Sequence, residues 1–229
     1  MSEASGKYLD VKRLVVKIGT GFIYDKVDGA GYRFRGDQLD ALVEETYEIS
    51  KDRQLAIVSS GAITTAAVMR GLSDIPKDPY KKAQLAGIGQ PNLFIEYRDR
   101  LNRHGKTAAQ CLITRDDLNN EKRASNLIRN QTGYFNNGVM AIYNENDFVS
   151  IEEITFGDND ILAAKLTCAI GADLLVMLSV PTEGLGTGGG KSKEEARKIT
   201  SEHGISMEIL NGRYEKAGGI YLPKIRELF

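Results

Sequence analysis

The chain has 229 residues, of which 41% are hydrophobic, so it is long enough to form one large core. Its formal net charge of −1 excludes a general electrostatic attraction to nucleic acids or to anionic membranes. No apolar run reaches the roughly 18 residues needed to span a bilayer, and the polar start MSEASGKYLD lacks a secretory pattern, so we expect a cytoplasmic protein.

Strand and helix periodicities alternate through the first half of the chain. They predict strands at residues 13–18, 55–58, 107–113 and 139–143, and helices at 36–53, at 121–136 and in a segment ending near residue 70. Between residues 78 and 103 a long helical pattern contains Gly87, Gly89 and Pro91. This composition predicts either two helices or one sharply bent helix.

The alternation continues in the second half, with helices predicted at residues 161–170 and 194–203 and strands at 173–178 and 205–210. Strands that alternate with helices pair in parallel, and strands as apolar as LLVML are buried on both faces. We therefore expect an α/β fold, namely a three-layer α/β/α sandwich with a mainly parallel central sheet. No Pro-rich or Ser-rich linker interrupts it, so residues 1–229 are predicted to form a single domain.

Cysteine and histidine usage limits the possible chemistry. Cys111 and Cys168 lie in apolar segments, so we expect reduced and buried thiols without a disulfide. His104 and His203 each precede a glycine at a predicted helix end, where an imidazole complements the helix dipole. The sequence therefore predicts no histidine metal site and no histidine general base.

Three turns rich in glycine or serine follow predicted strands: GTG at residue 19, SSGA at 59 and GTGGG at 186. Backbone amides and a helix N-terminus make each turn a possible anion site. Because Lys17 and Lys193 lie next to two of them, the set predicts a site for an extended polyanion such as a nucleoside triphosphate. GLGTGGGKS approaches the Walker A spacing, but Leu185 stands where that motif has its first glycine, and we do not favour a P-loop.

The stretch NENDFVSIEEITFGDND at residues 144–160 is strongly acidic and contains no lysine or arginine. Asn and Asp are common in turns because their side chains bond neighbouring backbone groups, so each cluster alone predicts only a capped loop. The segment between the clusters alternates as a hairpin or strand would. Because NEND follows an apolar strand and GDND precedes an apolar helix, the pair predicts a pocket rich in acceptors for a substrate with an ammonium group.

A cationic phosphate site beside an acidic pocket predicts phosphoryl transfer to an acceptor that carries an amino group. A carboxylate acceptor is already ionised near neutral pH, since its pKa is about 4.3. It needs no general base, and the remaining difficulty is the repulsion between two anions. Positioning and positive charge from lysines, backbone amides and Mg²⁺ reduce that repulsion.

In this order, the segments VVKIGTG, IVSSGAI, LITRDDL, NEND, FGDND and GTGGGKSKEEA resemble the glutamate 5-kinase branch of the amino acid kinase family. The resemblance covers nearly the whole chain and is most specific where NEND and GDND occur together. It implies phosphorylation of the γ-carboxylate of L-glutamate by ATP with Mg²⁺, the first step towards proline. The RNA-binding-like C-terminal domain of many bacterial members is not expected here.

The resemblance also implies roles for individual residues, numbered here in this sequence. Lys17 and Lys193 would contact phosphates, and Asp160 would orient both lysines. Glutamate would bind at Ser60, Gly61, Asp147 and Asn159, and the nucleotide would also contact Gly19, Ser179, Gly186, Thr187, Gly188 and Gly189. No residue is assigned to a metal, and the choice between Lys191 and Lys193 as the phosphate contact stays open. Proline would act as a possible feedback inhibitor, and the chain would form a homo-oligomer.

Two alternatives remain at this point. One is a related kinase that acts on another carboxylate or on carbamate, and the other is an amino-acid sensor without catalytic activity. The second arises because Val180 meets Pro181 directly, only a few residues before the glycine-rich turn, whereas family members carry a longer connection there. We expect a mobile loop missing from the sequence at this junction, with a Cα separation larger than one peptide bond and poorly ordered flanks.

Overall fold

The computed structural model describes residues 6–151, 159–180, 190–217, 220–221 and 224–229. The strands are β1 (Arg13–Ile18), β2 (Tyr24–Val27), β3 (Gly31–Phe34), β4 (Gln54–Ser59), β5 (Ala108–Ile113), β6 (Met140–Glu145), β7 (Leu174–Ser179), β8 (Ser206–Asn211), β9 (Lys216–Ala217) and β10 (Ile220–Tyr221). The helices are α1 (Thr20–Ile23), α2 (Gly36–Ile49), α3 (Ala62–Met69), α4 (Pro79–Arg103), α5 (Arg115–Asn119), α6 (Glu121–Asn136), α7 (Asn159–Ala169) and α8 (Gly190–Glu202). A short 3₁₀ helix spans Arg226–Leu228.

Six strands form one sheet in the order β5-β6-β4-β1-β7-β8, and every neighbouring pair is parallel. The chain moves outward from β1 to β4 and later returns to the other side of β1 with β7. Its direction across the sheet therefore reverses beside β1, which is where ligands bind in open α/β sheets, beyond the carboxyl ends of the strands.

Helices cover both faces of the sheet, because each strand contributes alternate residues to two hydrophobic clusters. In β1, Leu14 and Val16 pack with α2 and α4, whereas Val15 packs with α7 on the opposite face. Side chains alternate along a strand, so Lys17 shares the face of Val15. The predicted α/β/α sandwich with a parallel sheet is confirmed, and β1 directs a lysine towards the layer that contains α7.

Helix α4 is a single helix that runs through its glycines and proline, so the alternative of two helices is wrong. Its start is fixed by Asp78, whose side chain accepts a hydrogen bond from the amide of Lys81 at 2.8 Å. Gly89 allows α3 to approach very closely, since a Cβ atom there would lie 1.9 Å from the carbonyl oxygen of Ala62. The glycine therefore serves helix packing and does not end the helix.

Several boundaries differ from the sequence prediction. Strand β6 runs on through Asn144 and Glu145, both buried, so the first half of NEND belongs to the sheet and not to a turn. Helix α8 begins at Gly190 and includes Lys191 to Lys193, which the sequence assigned to a loop. The hairpin of β2 and β3 was not predicted, although Asp28-Gly29 is a common hairpin signal.

Cys111 and Cys168 are free thiols, as predicted, but both are half-buried and not fully enclosed. Both pack at the margin of the core: Cys111 lies on the outermost strand β5, and Cys168 lies near the end of α7. Within the described part of the chain, no helix is both long and apolar enough to cross a membrane.

Candidate active site

A buried carboxylate holds two lysines near the carboxyl ends of the central strands. Asp160, in the first turn of α7, is fully buried, and its Oδ1 pairs with the ammonium group of Lys17. Its Oδ2 lies 3.2 Å from Nζ of Lys193 in the first turn of α8 and accepts a 2.9 Å hydrogen bond from Ser192 Oγ. One carboxylate thus fixes cations from β1 and α8 next to each other.

Opposing effects set the ionisation of Asp160. Burial raises its pKa, because it disfavours the charged form, whereas the charge and hydrogen bond of Lys17 lower it. Lys193 and Ser192 lower it further, and the net pKa of Asp160 lies below its ordinary value. The carboxylate is therefore ionised at neutral pH, and the ion pairs persist there.

An amide network adjoins this cluster through Asn159, the residue before Asp160. Its side-chain nitrogen lies 2.9 Å from Asn144 Oδ1, 3.0 Å from Ser60 Oγ and 3.3 Å from the carbonyl oxygen of Ser59. Since the nitrogen faces three acceptors, the orientation of the amide is fixed. Its Oδ1 is buried and accepts no hydrogen bond from any residue that the structure describes.

A further layer of hydrogen bonds supports Asn159 from behind. Asn144 donates from Nδ2 to Gln90 Oε1 at 2.6 Å, which directs Asn144 Oδ1 towards Asn159. Ser59 Oγ lies 2.9 Å from the hydroxyl of Tyr97, which is fully buried in α4. Helix α4 therefore holds both strands that carry the amide network, β4 and β6.

Glycines shape the turns beside the network. Gly61 is the N-cap of α3 and has a φ of 115°, a conformation that favours glycine over other residues. The backbone can therefore turn sharply from Ser60 into α3. A Cβ atom at Gly61 would also lie 3.1 Å from Cε2 of Tyr24, so the turn is enclosed.

The first amides of two predicted anion-binding turns donate to backbone carbonyl oxygens of neighbouring strands. The amide of Gly19 donates to the carbonyl oxygen of Leu178 at 3.1 Å, and that of Ser60 donates to the carbonyl oxygen of Ile18 at 3.0 Å. Both bonds extend the ladder of the parallel sheet by one residue. Anion binding by these turns stays a prediction, and it would use other donors of the turns than these two amides.

Other predicted residues lie at the same edge of the sheet. Asp147 is in the turn after β6, and Ser179 ends β7, where its carbonyl oxygen accepts a bond from the amide of Gly212 at 2.9 Å. The predicted nucleotide contacts Gly186, Thr187, Gly188 and Gly189 lie outside the described residues. The predicted break at the Val180–Pro181 junction also lies outside them, since Pro181 is not described.

Sequence reasoning missed three residues of this site. Asn144 was visible within NEND but was interpreted as a turn residue. No sequence pattern pointed to Gln90, because it is 54 positions from Asn144 and lies in a helix that contains glycines. Ser192 could have been found from its position beside Lys193, once the helix is known to start at Gly190.

Comparison with known proteins identifies relatives. A family model described as the amino acid kinase family matches residues 12–226. Glutamate 5-kinase from Clostridium acetobutylicum is 30% identical over 264 residues, which cover 95% of this chain and 97% of that protein. Because that alignment is longer than the 229 residues of the chain, the relative contains internal segments that this chain lacks.

A second relative and a solved structure complete the comparison. Glutamate 5-kinase from Myxococcus xanthus is 36% identical over 199 residues, covering 87% of this chain, and the chain spans about half of that protein, 52%. The crystal structure of UMP kinase from Ureaplasma parvum shares the fold, with a TM-score of 0.55 and 16% identity over 88% of this chain and 90% of the other. The chain therefore belongs to the amino acid kinase family, in the branch formed by the glutamate 5-kinases.

Proposed function

We propose that the chain catalyses ATP-dependent phosphorylation of the γ-carboxylate of L-glutamate to L-glutamyl 5-phosphate, the first step of proline biosynthesis. One observation carries the proposal: the buried Asp160 carboxylate holds the ammonium groups of Lys17 and Lys193 beside the Asn159 network. Two cations suited to phosphate oxygens thus lie near amide and hydroxyl groups suited to an amino acid.

In this proposal a γ-carboxylate oxygen of glutamate attacks the γ-phosphorus of ATP. The bond from that phosphorus to the bridging oxygen breaks, and ADP leaves with the electron pair. The lysines reduce the repulsion between the two anions as charge develops on the transferring group. Each ammonium group has three N–H donors, so Lys17 and Lys193 can keep their contact with Asp160 and still donate to phosphate.

The amino acid would bind at the amide network. Asn159 Oδ1 is a buried acceptor without a described partner, which suits a substrate ammonium group. Ser60, Gly61 and Asp147 would complete the acceptor pocket. The nucleotide would contact Gly19, Ser179 and the glycine-rich segment that contains Gly186, Thr187, Gly188 and Gly189.

Mg²⁺ would accompany the nucleotide. In the described ranges, no group of three or more His, Cys, Asp or Glu side chains could hold a metal ion. Asp160 is already engaged with two lysines. These residues do not fit a preformed protein cage for Mg²⁺, so we assign the ion no protein ligand.

Three further parts of the proposal concern the whole protein. Proline shares an ammonium group and an α-carboxylate with glutamate, so we propose that it competes for the same pocket. We also propose a homo-oligomer and a cytoplasmic location. Proline inhibition that glutamate overcomes in steady-state assays would support the shared pocket, and inhibition that glutamate cannot overcome would contradict it.

A hydroxamate assay for acyl phosphate, with glutamate, ATP and Mg²⁺, tests the activity and the lysine assignment together. We expect Lys17→Met and Lys193→Met each to lower kcat by about 100-fold, with a smaller change in KM for glutamate, because their charge is needed most in the transition state. Lys191→Met is the matched control, since Lys191 is exposed and lies in the same helix.

Each other outcome of the assay has a definite meaning. Normal turnover by Lys193→Met together with loss in Lys191→Met would move the phosphate contact to Lys191. Acyl phosphate formed from acetylglutamate, aspartate or carbamate, but not from glutamate, would identify a related kinase. Binding of glutamate in calorimetry without any turnover would identify a sensor.

A further inference from the structure

A depression of about 800 Å³ lies at the amino-terminal edge of the sheet, opposite to the proposed active site. It is bounded by the starts of β1, β4 and β6, the end of α6 and the connections that precede β5 and β7. Its charged lining residues are five cations and two carboxylates: Lys12, Arg13, Lys51, Arg53, Lys106, Asp52 and Asp173. We call this surface the basic depression.

The carboxylates of the basic depression do not neutralise its cations. Asp173 Oδ2 accepts hydrogen bonds from the backbone amides of Lys12 and Arg13, at 2.9 and 2.8 Å, so it joins β1 to the start of β7. Asp52 is exposed and makes no described ion pair. Among the described residues, Lys51 alone of the five cations has an acidic partner, Glu48 at 2.6 Å. An excess of positive charge therefore remains.

Two lysines of the depression have no counter-ion in the part of the chain that the structure describes. Within the described residues, the side chains of Lys12 and Lys106 form no ion pair and no hydrogen bond, although Lys106 is half-buried. Burial lowers the pKa of Lys106, and no other cause opposes it. A cation that is partly removed from water without a partner costs free energy, which an anionic ligand would recover.

Two arginines of the depression are held in place and still have donors to offer. Arg13 donates from Nε to Gln54 Oε1 at 2.8 Å, and its guanidinium lies 4.9 Å from the ring centroid of Phe135. Arg53 donates from Nε to the carbonyl oxygen of Val11 at 3.1 Å and lies 4.1 Å from the ring centroid of Phe229. Arg13 Nη2 and both Nη atoms of Arg53 have no partner among the described residues.

The alternative explanation is that these cations neutralise helix C-termini, several of which end at this edge. It accounts for part of Arg13, whose Nη1 donates to the carbonyl oxygens of Ile170 and Gly171 directly after α7. It does not account for Lys12 and Lys106, whose ammonium groups contact no described carbonyl oxygen. Neutralisation of helix C-termini also leaves both Nη atoms of Arg53 without a role.

We propose that the basic depression binds a small phosphate-bearing anion with at least two negative charges. A guanidinium group held in place can donate two parallel hydrogen bonds to two oxygens of one phosphate group, and the two lysines supply mobile point charges. The site is separate from the proposed nucleotide site, because β1 carries Arg13 at its first residue and Lys17 near its last. It therefore does not depend on the proposed kinase activity.

Calorimetric titration with inorganic pyrophosphate tests the proposal. All titrations use full-length protein with the Lys193→Met change, which weakens the phosphate contact at the opposite edge. We expect the added pair Lys12→Gln and Lys106→Gln to lower the pyrophosphate affinity by at least about tenfold, because charged hydrogen bonds are lost. Neither side chain has a described partner, so the variant should keep the fold, as checked by far-UV circular dichroism.

The matched control is the pair Lys81→Gln and Lys122→Gln, two exposed lysines near the starts of α4 and α6 whose side chains have no described partner. It removes the same charge and should change affinity by less than about threefold, since distant exposed charges are screened. Unchanged affinity in the Lys12/Lys106 pair, or no binding by the Lys193→Met protein, would overturn the proposal. Equal affinity for citrate would overturn the assignment to phosphate. None of these readouts involves turnover.

Discussion

Asp160 is the residue on which the proposed site depends, since it compensates two cations from two different elements. Lys17 is only 8% exposed, so its charge would be costly without this carboxylate. The sequence could predict this cluster through its motifs, because Lys17, Asp160 and Lys193 each lie in a segment typical of the family. It could not predict which oxygen faces which lysine.

We predict that Asp160→Asn lowers the free energy of unfolding by about 3 kcal/mol at pH 7, because it leaves a buried lysine without its partner. The pKa of Asp160 is depressed in the folded state, so its stabilising effect is complete above the unfolded pKa of about 3.9 and is lost as pH falls through the folded pKa. Urea denaturation of both proteins should show a difference that is constant near neutral pH and shrinks only in acid below about pH 4. A difference that shrinks already between pH 7 and pH 5 would contradict this assignment.

Gln90 illustrates what a sequence alone does not reveal. Its contact with Asn144 joins α4 to β6 across 54 positions, and only the folded chain brings the two amides together. We infer that Gln90 is a positioning residue, because it orients Asn144, which in turn orients Asn159.

We predict that Gln90→Leu raises KM for glutamate several-fold and leaves kcat much less affected. Asn144 Nδ2 would lose its acceptor, and a buried unpaired donor costs about 1 to 3 kcal/mol, so Asn144 would reorient. Gln90→Glu keeps an acceptor at this position and should largely restore KM. Steady-state kinetics of the three proteins provides the check, and an unchanged KM in Gln90→Leu would mean that the contact is only structural.

At the scale of elements, the crossing of α3 and α4 leaves less room for a side chain at Gly89 than any other described glycine has. A Cβ atom at Gly89 would lie 1.9 Å from Ala62 O and 2.7 Å from Ala66 N, both backbone atoms that cannot rotate away. Gly133, in the last turn of α6, would place its Cβ in open space. The two glycines therefore form a matched pair in helices.

We predict that Gly89→Ala lowers the free energy of unfolding by about 3 kcal/mol, since it forces two helices apart. Gly133→Ala should raise it by about 0.5 to 1 kcal/mol, because alanine is the better helix former and nothing obstructs it. Chemical denaturation of both variants tests the pair. Equal effects of the two changes would show that the helices separate at little cost.

The sequence predicted some elements better than others for a physical reason. Strand β1 and helix α6 were predicted with the bounds observed, because apolar periodicity and polar flanks coincide at their ends. Strand β6 was predicted too short, since Asn144 and Glu145 are polar residues buried by partners distant in sequence. The hairpin of β2 and β3 was missed because charged residues obscure its alternation.

At the scale of the whole molecule, the two core layers depend on the same strands. Leu14 and Val16 serve one layer and Val15 the other, so neither layer persists without β1. The α/β/α arrangement was predictable from the alternation of strands and helices alone. The strand order was not, because local patterns do not specify which strands become neighbours.

We predict that the described core unfolds in a single cooperative transition, because one sheet joins both layers. The chain contains ten tyrosines and no tryptophan, so tyrosine fluorescence can be followed without interference. The urea midpoint followed by tyrosine fluorescence should coincide with the urea midpoint followed by far-UV circular dichroism. Separate midpoints would show that one layer of helices unfolds before the other.

Helix α4 contacts two elements that carry the proposed acceptor pocket, α3 and β6. Gly89 touches Ala62, two positions after Ser60, and Gln90 holds Asn144. A small axial shift of α4 would therefore move Ser60 and Asn159 relative to each other. Mutations in α4 could then change the length of the acceptor that fits, from the proposed glutamate towards a shorter or longer dicarboxylate. Searches for altered specificity in this family should include the buried face of α4 as well as the residues that line the pocket.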